Sequence, residues 1–450
     1  MNERIGSVII ENVGPSVDAG TYPVKRVVGE PIRVEADIFK EGHDLLSAVV
    51  RWRKAPTRAL GSLPTSPPVQ EGGWTEVPME ATVNDRWAAE LRFPEMGRYL
   101  FTVEAWTDGY RSWAQELSRK VKAGQKVKSE LLEGAALLKA CASRASGTDA
   151  AALKEAEAQL SASSEVQASA AALKPELIAL ASRYADRAIA TRHPQELGVW
   201  VEPVRAAVGA WYEFFPRSTG PDAQTHGTFA DAEKMLEYVQ SLGFDVVYLP
   251  PIHPIGRTAR KGKNNTLKAE SGDVGSPWAI GAAEGGHKSI HPQLGTLEDF
   301  KRFVNKARGL GIDVALDLAY QCSPDHPYVK EHPEWFSFRP DGTLKTAENP
   351  PKRYEDIVNF DWLGPAREAL WTELRSVVLF WVEAGVRIFR VDNPHTKPVR
   401  FWQWMIDTVR AVHPDVVFLS EAFTRPKMMK VLAKVGFSQS YTYFTWRNFK

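Results

Sequence analysis

The sequence predicts an α/β protein: a (β/α)8 TIM-type barrel, incomplete in this chain, preceded by an N-terminal β-sandwich and a helical insert. Three observations carry that expectation. Residues 1–120 read as short β-branched and aromatic runs separated by turn signals. Residues 121–195 are rich in Ala, Leu, Glu and Lys at helical spacing. Within a barrel domain placed at 196–450, strand-like and helix-like segments alternate from about Arg205, which calls for a parallel sheet with crossover helices.

In the first region the runs are "GSVIIENV", "EPIRVEADIF", "LSAVVRW", "WTEVPMEATV", "RWAAELRF" and "GRYLFTVEAW". Turn signals such as "VNDRW" and "PEMGRY" divide them, a spacing that suits a small antiparallel sandwich. The stretch "TRALGSLPTSPPVQEGG" is rich in Pro, Gly and Ser and reads as a loop within it. The second region reads as several short helices broken near "SGTD" and "ASSE", structural or dimer-forming and without chemistry of its own.

The third region supplies candidate strands "VGAWYEFF" (208–215), "DVVYLPPI" (245–252), "DVALDLAY" (313–320), "VRIFRVDN" (386–393), "VVFLSEAF" (416–423) and "SYTYFTW" (440–446). Polar residues recur at their C-terminal ends, where a barrel carries its active site. The third strand runs into Asp317, Gln321, Asp325 and His326, the fourth into Arg390, Asp392, Asn393, His395 and Lys397, and the fifth into Glu421. Two carboxylates on neighbouring strands, Asp392 and Glu421, suit retaining glycosyl transfer, which needs carboxyl groups roughly 5–5.5 Å apart. Arg390 lies two residues before Asp392, hence on the same side of the strand, and is placed to keep it ionised.

Composition excludes other classes. Lys and Arg number 56 against 55 Asp and Glu, so no global field draws nucleic acid or a membrane surface. The two cysteines, Cys141 and Cys322, give neither a disulfide framework nor a metal-ligand spacing. No metal and no cofactor are expected, and the glycines of "GRTARKGKNN" do not follow P-loop order. The N-terminus lacks a signal-peptide pattern and no apolar run is long enough for a bilayer, so a cytoplasmic location is the expectation.

"DVALDLAYQCSPDHP", "GVRIFRVDNPHTKP" and "VVFLSEAF" resemble successive signature regions of the α-amylase superfamily. "GAWYEFFPRS", "VVYLPPIHPIGRTARKGKNN", "GSPWAIGAAEGGH" and "AENPPKRYEDI" resemble the α-1,4-glucan:maltose-1-phosphate maltosyltransferases more closely. That resemblance implies maltosyl transfer from α-maltose 1-phosphate to the non-reducing end of α-1,4-glucans, in glycogen or α-glucan biosynthesis, by a homodimer. It implies Asp392 as nucleophile, Glu421 as acid/base and Arg390 as the arginine preceding the nucleophile. Asn349, Lys352, Tyr354 and Asn393 match its phosphate-binding set, and Lys261, Asn265 and Trp278 its sugar-contacting positions; Gln321, which with Cys322 replaces the superfamily's usual Asn-His pair in a way that resembles this group, is expected to bind substrate. Asp325 and His326 are assigned to sugar hydroxyls, with a purely structural His326 the equal alternative. A lid subdomain is expected at about 325–362.

The chain departs from the pattern in two ways. His395 stands where the superfamily has a lysine, with Lys397 two residues later, and both are left unassigned. The family's third carboxylate follows a later barrel strand and has no matching position. The alternatives are another glycosidase of the superfamily, or a truncated, catalytically inactive glucan-binding protein.

Overall fold

The computed structural model describes residues 6–55 and 73–446; the Pro/Gly/Ser stretch at 57–72 lies outside the described residues. Two compact units divide in sequence at Val201 and Glu202.

The first unit holds two antiparallel sheets. One orders Ile9–Gly14, Pro31–Phe39, Arg86–Arg92 and Glu80–Ala81. Along Pro31–Phe39 the residues Ile32, Val34, Ala36 and Ile38 are buried on alternate positions, the period of a half-buried strand. The other sheet orders Val24–Val27, Leu197–Glu202, Gly97–Thr107, Leu46–Lys54 and Thr75–Pro78. Two expectations change here. Leu197–Glu202 does not open the barrel: it pairs antiparallel with Gly97–Thr107, Leu197 opposite Phe101, and buries Leu197, Val199 and Val201 in the sandwich core. Nor does β structure extend to residue 120. A helix begins at Gly109, capped by Asp108 accepting from the Arg111 amide, and Tyr110, Trp113, Ala114 and Leu117 form its buried stripe. Helices Lys128–Arg144, Gly147–Ala162, Glu165–Ala172 and Pro175–Arg183 follow, with breaks at "SGTD" and "ASSE".

In the second unit six strands pair in parallel and in chain order among the described residues: β1 (Trp211–Glu213), β2 (Val246–Leu249), β3 (Asp313–Leu318), β4 (Ile388–Val391), β5 (Val417–Ser420) and β6 (Gln439–Ser440). Every residue of β2, β4 and β5 is buried, as befits a parallel sheet covered on both faces. The crossover helices are α1 (Phe229–Ser241), α2 (Leu297–Gly309), α3 (Arg367–Glu383), α4 (Val399–Arg410) and α5 (Pro426–Lys434). Reciprocal capping boxes start α1 and α2, Thr228 with Asp231 and Thr296 with Asp299.

The outer strands are shorter than their apolar runs suggest. Residues 208–210 fall outside β1, and "SYTYFTW" contributes only its first residue to β6 before a 3-10 turn at Tyr443–Trp446. Between β3 and α3 the chain forms a small subdomain. Its hairpin pairs Thr346–Asn349 with Lys352–Val358, and backbone bridges join Cys322 to Val358 and Phe336 to Phe360.

Candidate active site

Register brings the polar strand ends together. Asp317 stands opposite Arg390, and Arg390 opposite Leu419. The ladder continues one residue past the strands: the Asp392 amide donates to the Leu318 carbonyl (3.1 Å) and the Glu421 amide to the Val391 carbonyl (3.0 Å). Asp392 therefore has the same facing as Arg390, with Glu421 beside it.

One guanidinium holds three carboxylates. Arg390 Nη1 lies 2.9 Å from Asp317 Oδ2 and 2.9 Å from Asp392 Oδ1, and Nη2 lies 3.2 Å from Glu421 Oε1. Its cationic carbon sits 5.7 Å from the ring centroids of both Tyr248 and Tyr441. The Tyr248 hydroxyl donates to Asp317 Oδ2 at 2.5 Å. Asp392 Oδ2 accepts from Gln321 Nε2 (2.5 Å) and Asn393 Nδ2 (3.3 Å), while Glu421 Oε2 accepts from the Asn393 amide (3.1 Å).

Burial and charge separate the acids. Burial, reinforced by the charges of Asp392 and Glu421, pushes Asp317 up to about 7 against the pull of Arg390. Burial also raises Glu421; Arg390 opposes that rise and the Asp392 charge adds to it. For Arg390 burial disfavours the charge, but Asp317, Tyr248, Asp392 and Glu421 outweigh it and the pKa rises.

The other predicted residues fall in several places. Asn393, in the left-handed region at φ 43°, is the first residue after Asp392. Lys261 is buried and faces Asp356, whereas Asn265 is exposed. Trp278 is half-buried against Phe215, its indole N–H buried without a partner. Asn349 and Lys352 flank the hairpin turn on exposed positions, and Tyr354 is half-buried. Among the described residues, Lys261, Asn265, Trp278, Asn349, Lys352 and Tyr354 make no hydrogen bond to the carboxylate cluster.

Asp325 and His326 both have structural partners, which for His326 is the second of its two expected roles. Asp325 is a loop anchor: its carboxylate accepts from the amides of Arg257 (2.6 Å) and Thr258 (2.7 Å) and from the Thr258 hydroxyl (2.7 Å). His326, 2% exposed, belongs to a buried relay. The Tyr328 amide donates to His326 Nδ1 (3.0 Å), His326 Nε2 faces His287 Nδ1 (3.0 Å), and His287 Nε2 faces the Ala319 carbonyl (3.0 Å). Those partners dictate each tautomer: His326 Nε2 and His287 Nε2 carry the protons. His287, Cys322 and His326 bring potential ligand atoms within 4.8 Å of one another, but the relay uses all four ring nitrogens and burial keeps the Cys322 thiol protonated.

Sequence reasoning missed Asp356 and Tyr248. On the strand Lys352–Val358, alternate positions Tyr354, Asp356 and Val358 become progressively buried, so period 2 from Lys352 was the available signal. Asp356 is 3% exposed with Oδ1 unpartnered; burial raises its pKa and the Lys261 charge works against that.

The relay and the neighbouring buried His253, whose Nδ1 faces the Ser289 carbonyl, have a measurable consequence. Burial lowers His253 to about 4 and His287 to about 3, and holds His326 well below its ordinary range. Below pH 6.5 the unfolded chain binds these protons and the folded chain does not, so stability is full above that value and falls as pH drops toward the folded pKa values. Asp317 and Glu421, both raised, act in the opposite sense because the folded chain keeps their protons. His291, lowered to about 4 by burial, and His395, lowered in the same sense, add to the three histidines, while Asp356 joins the raised carboxyls, so the histidine effect outweighs the carboxyl effect. Urea midpoints followed by tryptophan fluorescence should fall between pH 6 and 4.5; a flat profile contradicts the burial of these imidazoles in neutral form.

Comparison with known proteins matches residues 6–203 to the family described as α-1,4-glucan:maltose-1-phosphate maltosyltransferase, domain N/S, and residues 213–443 to the α-amylase catalytic domain. The α-1,4-glucan:maltose-1-phosphate maltosyltransferase of Myxococcus xanthus is 62% identical over 454 residues, covering 100% of this chain and 67% of its own length. The chain belongs to this family. The Rhodospirillum rubrum protein of the same name is 50% identical, covering 98% of this chain and 64% of itself. The chain thus spans about two thirds of the length of these curated relatives. An α-amylase structure from Lactobacillus plantarum is similar at 31% identity and a TM-score of 0.41, covering 51% of this chain and 48% of its own. Among the described residues no helix is long and apolar enough to cross a membrane.

Proposed function

We propose that the site performs retaining transfer of maltosyl units from α-maltose 1-phosphate to the non-reducing end of an α-1,4-glucan. The observation that carries this reading is the single guanidinium shared by Asp392 and Glu421, which frames two carboxylates around one space. Asp392 attacks the anomeric carbon while Glu421, whose proton burial retains, protonates the departing phosphate. Glu421 then takes the proton of the acceptor 4-hydroxyl, which displaces Asp392 with net retention.

Lys352, Asn349 and Tyr354 of the hairpin, with Asn393, supply a cation and neutral donors for the phosphate. Lys261, Asn265, Trp278 and Gln321 serve the sugar rings. Asp356 joins them, because an unpartnered buried carboxylate oxygen suits a sugar hydroxyl. The names of the relatives support both substrates. We further propose a cytoplasmic homodimer acting in glycogen or α-glucan synthesis.

The test uses the full-length protein with α-maltose 1-phosphate and a malto-oligosaccharide. Phosphate release matched by acceptors longer by two glucose units supports transfer. Reducing sugar released from unphosphorylated oligomers, without phosphate chemistry, supports a glycosidase instead.

A further inference from the structure

Lys397 has a place in the site that its residue type did not announce. It is 9% exposed, and its ammonium donates to the carbonyls of Asp392 (3.0 Å) and Asn393 (3.1 Å). These two peptide units flank the left-handed Asn393, where the chain leaves β4 and enters the 3-10 turn at Pro394–Thr396. The conformation aims Asn393 in two directions, its amide at Glu421 Oε2 and its side chain at Asp392 Oδ2.

We propose that Lys397 is a positioning residue for the transfer reaction: its buried charge fastens the Asn393 turn and sets how tightly Glu421 holds the proton it must deliver. The proposal rests on the reading of Asp392 and Glu421 given above. Two buried carbonyls are satisfied equally well by a neutral donor or a water, so hydrogen bonding alone does not call for a lysine. Burying an ammonium is costly without compensating charge. The compensating groups are those of the site. Asp392 at the end of β4, Glu421 from β5 and Asp317 from β3 favour the Lys397 charge, whereas burial and Arg390 oppose it. His395, in the same turn, also faces it, and Tyr248 and Tyr441 pack against Arg390. Arg390 and Lys397 are thus two cations facing three carboxylates. The cluster reaches neutrality with one bound proton, the number the acid step consumes.

Lys397→Met and Lys397→Arg in the full-length protein test this, with Glu421→Gln as reference. Losing the positive charge makes Glu421 keep its proton to higher pH. In K397M the alkaline limb of kcat/KM should move up by half a pH unit or more, with kcat reduced at least tenfold and KM changed less than threefold. K397R should return the limb to its wild-type position and recover part of kcat. If K397M does not fold, K397Q keeps a donor without charge and carries the same comparison. A K397M or K397Q enzyme with a lower melting temperature but an unmoved limb makes Lys397 merely structural and overturns the proposal. If E421Q itself retains the limb, the assignment of Glu421 has failed, not that of Lys397.

Discussion

Asp392→Ala is expected to lower phosphate release from α-maltose 1-phosphate by roughly 10^4-fold or more, the scale seen when a covalent nucleophile is removed. Three side-chain donors converge on this carboxylate, Arg390, Gln321 and Asn393, so its position is fixed before substrate arrives. Alanine removes the attacking oxygen and leaves the acid in place. It also removes one of the charges that raise Glu421, so the alkaline limb of any residual activity should shift to lower pH. Azide, small enough for the vacated space, should partially restore turnover and give the glycosyl azide of inverted configuration. A phosphate-release assay on the full-length variant decides: unimpaired turnover removes Asp392 from the nucleophile's role.

Arg390→Met should produce the largest loss of stability among single changes at the site. The guanidinium is almost wholly buried, and its three partners include Asp317, whose side chain is 0% exposed. Deleting one partner of such a cluster leaves uncompensated buried charge and costs roughly 3–5 kcal/mol. Protonation relieves part of that loss. Asp317, already at about 7 with the arginine present, rises further without it and is neutral in the folded variant at mildly acidic pH. A raised folded pKa means stability kept at low pH and lost as pH climbs through it. The urea midpoint of R390M should therefore lie closer to wild type at pH 5.5 than at pH 8; an equal deficit at both refutes the shared-cation account. Arg390→Lys retains one charge but loses the fork that reaches Glu421, and should recover only part of the difference.

Legibility from the sequence tracked how local each determinant is. Arg390, Asp392 and Glu421 were readable because strand parity and ordered motifs place them without knowledge of packing. Lys397 was not, because its partners are carbonyls and no residue type marks them. His326 stood open between a sugar contact and a structural role because its partner, His287, lies 39 positions away in a loop with no periodic signal. Asp356 needed the burial that the hairpin subdomain supplies. The strand Leu197–Glu202 fell on the wrong side of a boundary for the same reason, since its partner lies across the entire helical segment. Helix breaks at Ser146 and Ser164 were read correctly from a few adjacent residues.

The side-by-side pairing of Asp317 with Arg390 carries a consequence for how the protein is made. A slip of β4 by a single residue turns Arg390 and Asp392 away from the cavity and toward the apolar flank of the crossover helices. Such a chain buries two unpaired charges and lacks its nucleophile at the same stroke. A slip of this kind therefore costs stability and activity together. The salt-bridged cluster thereby favours one register of its own sheet.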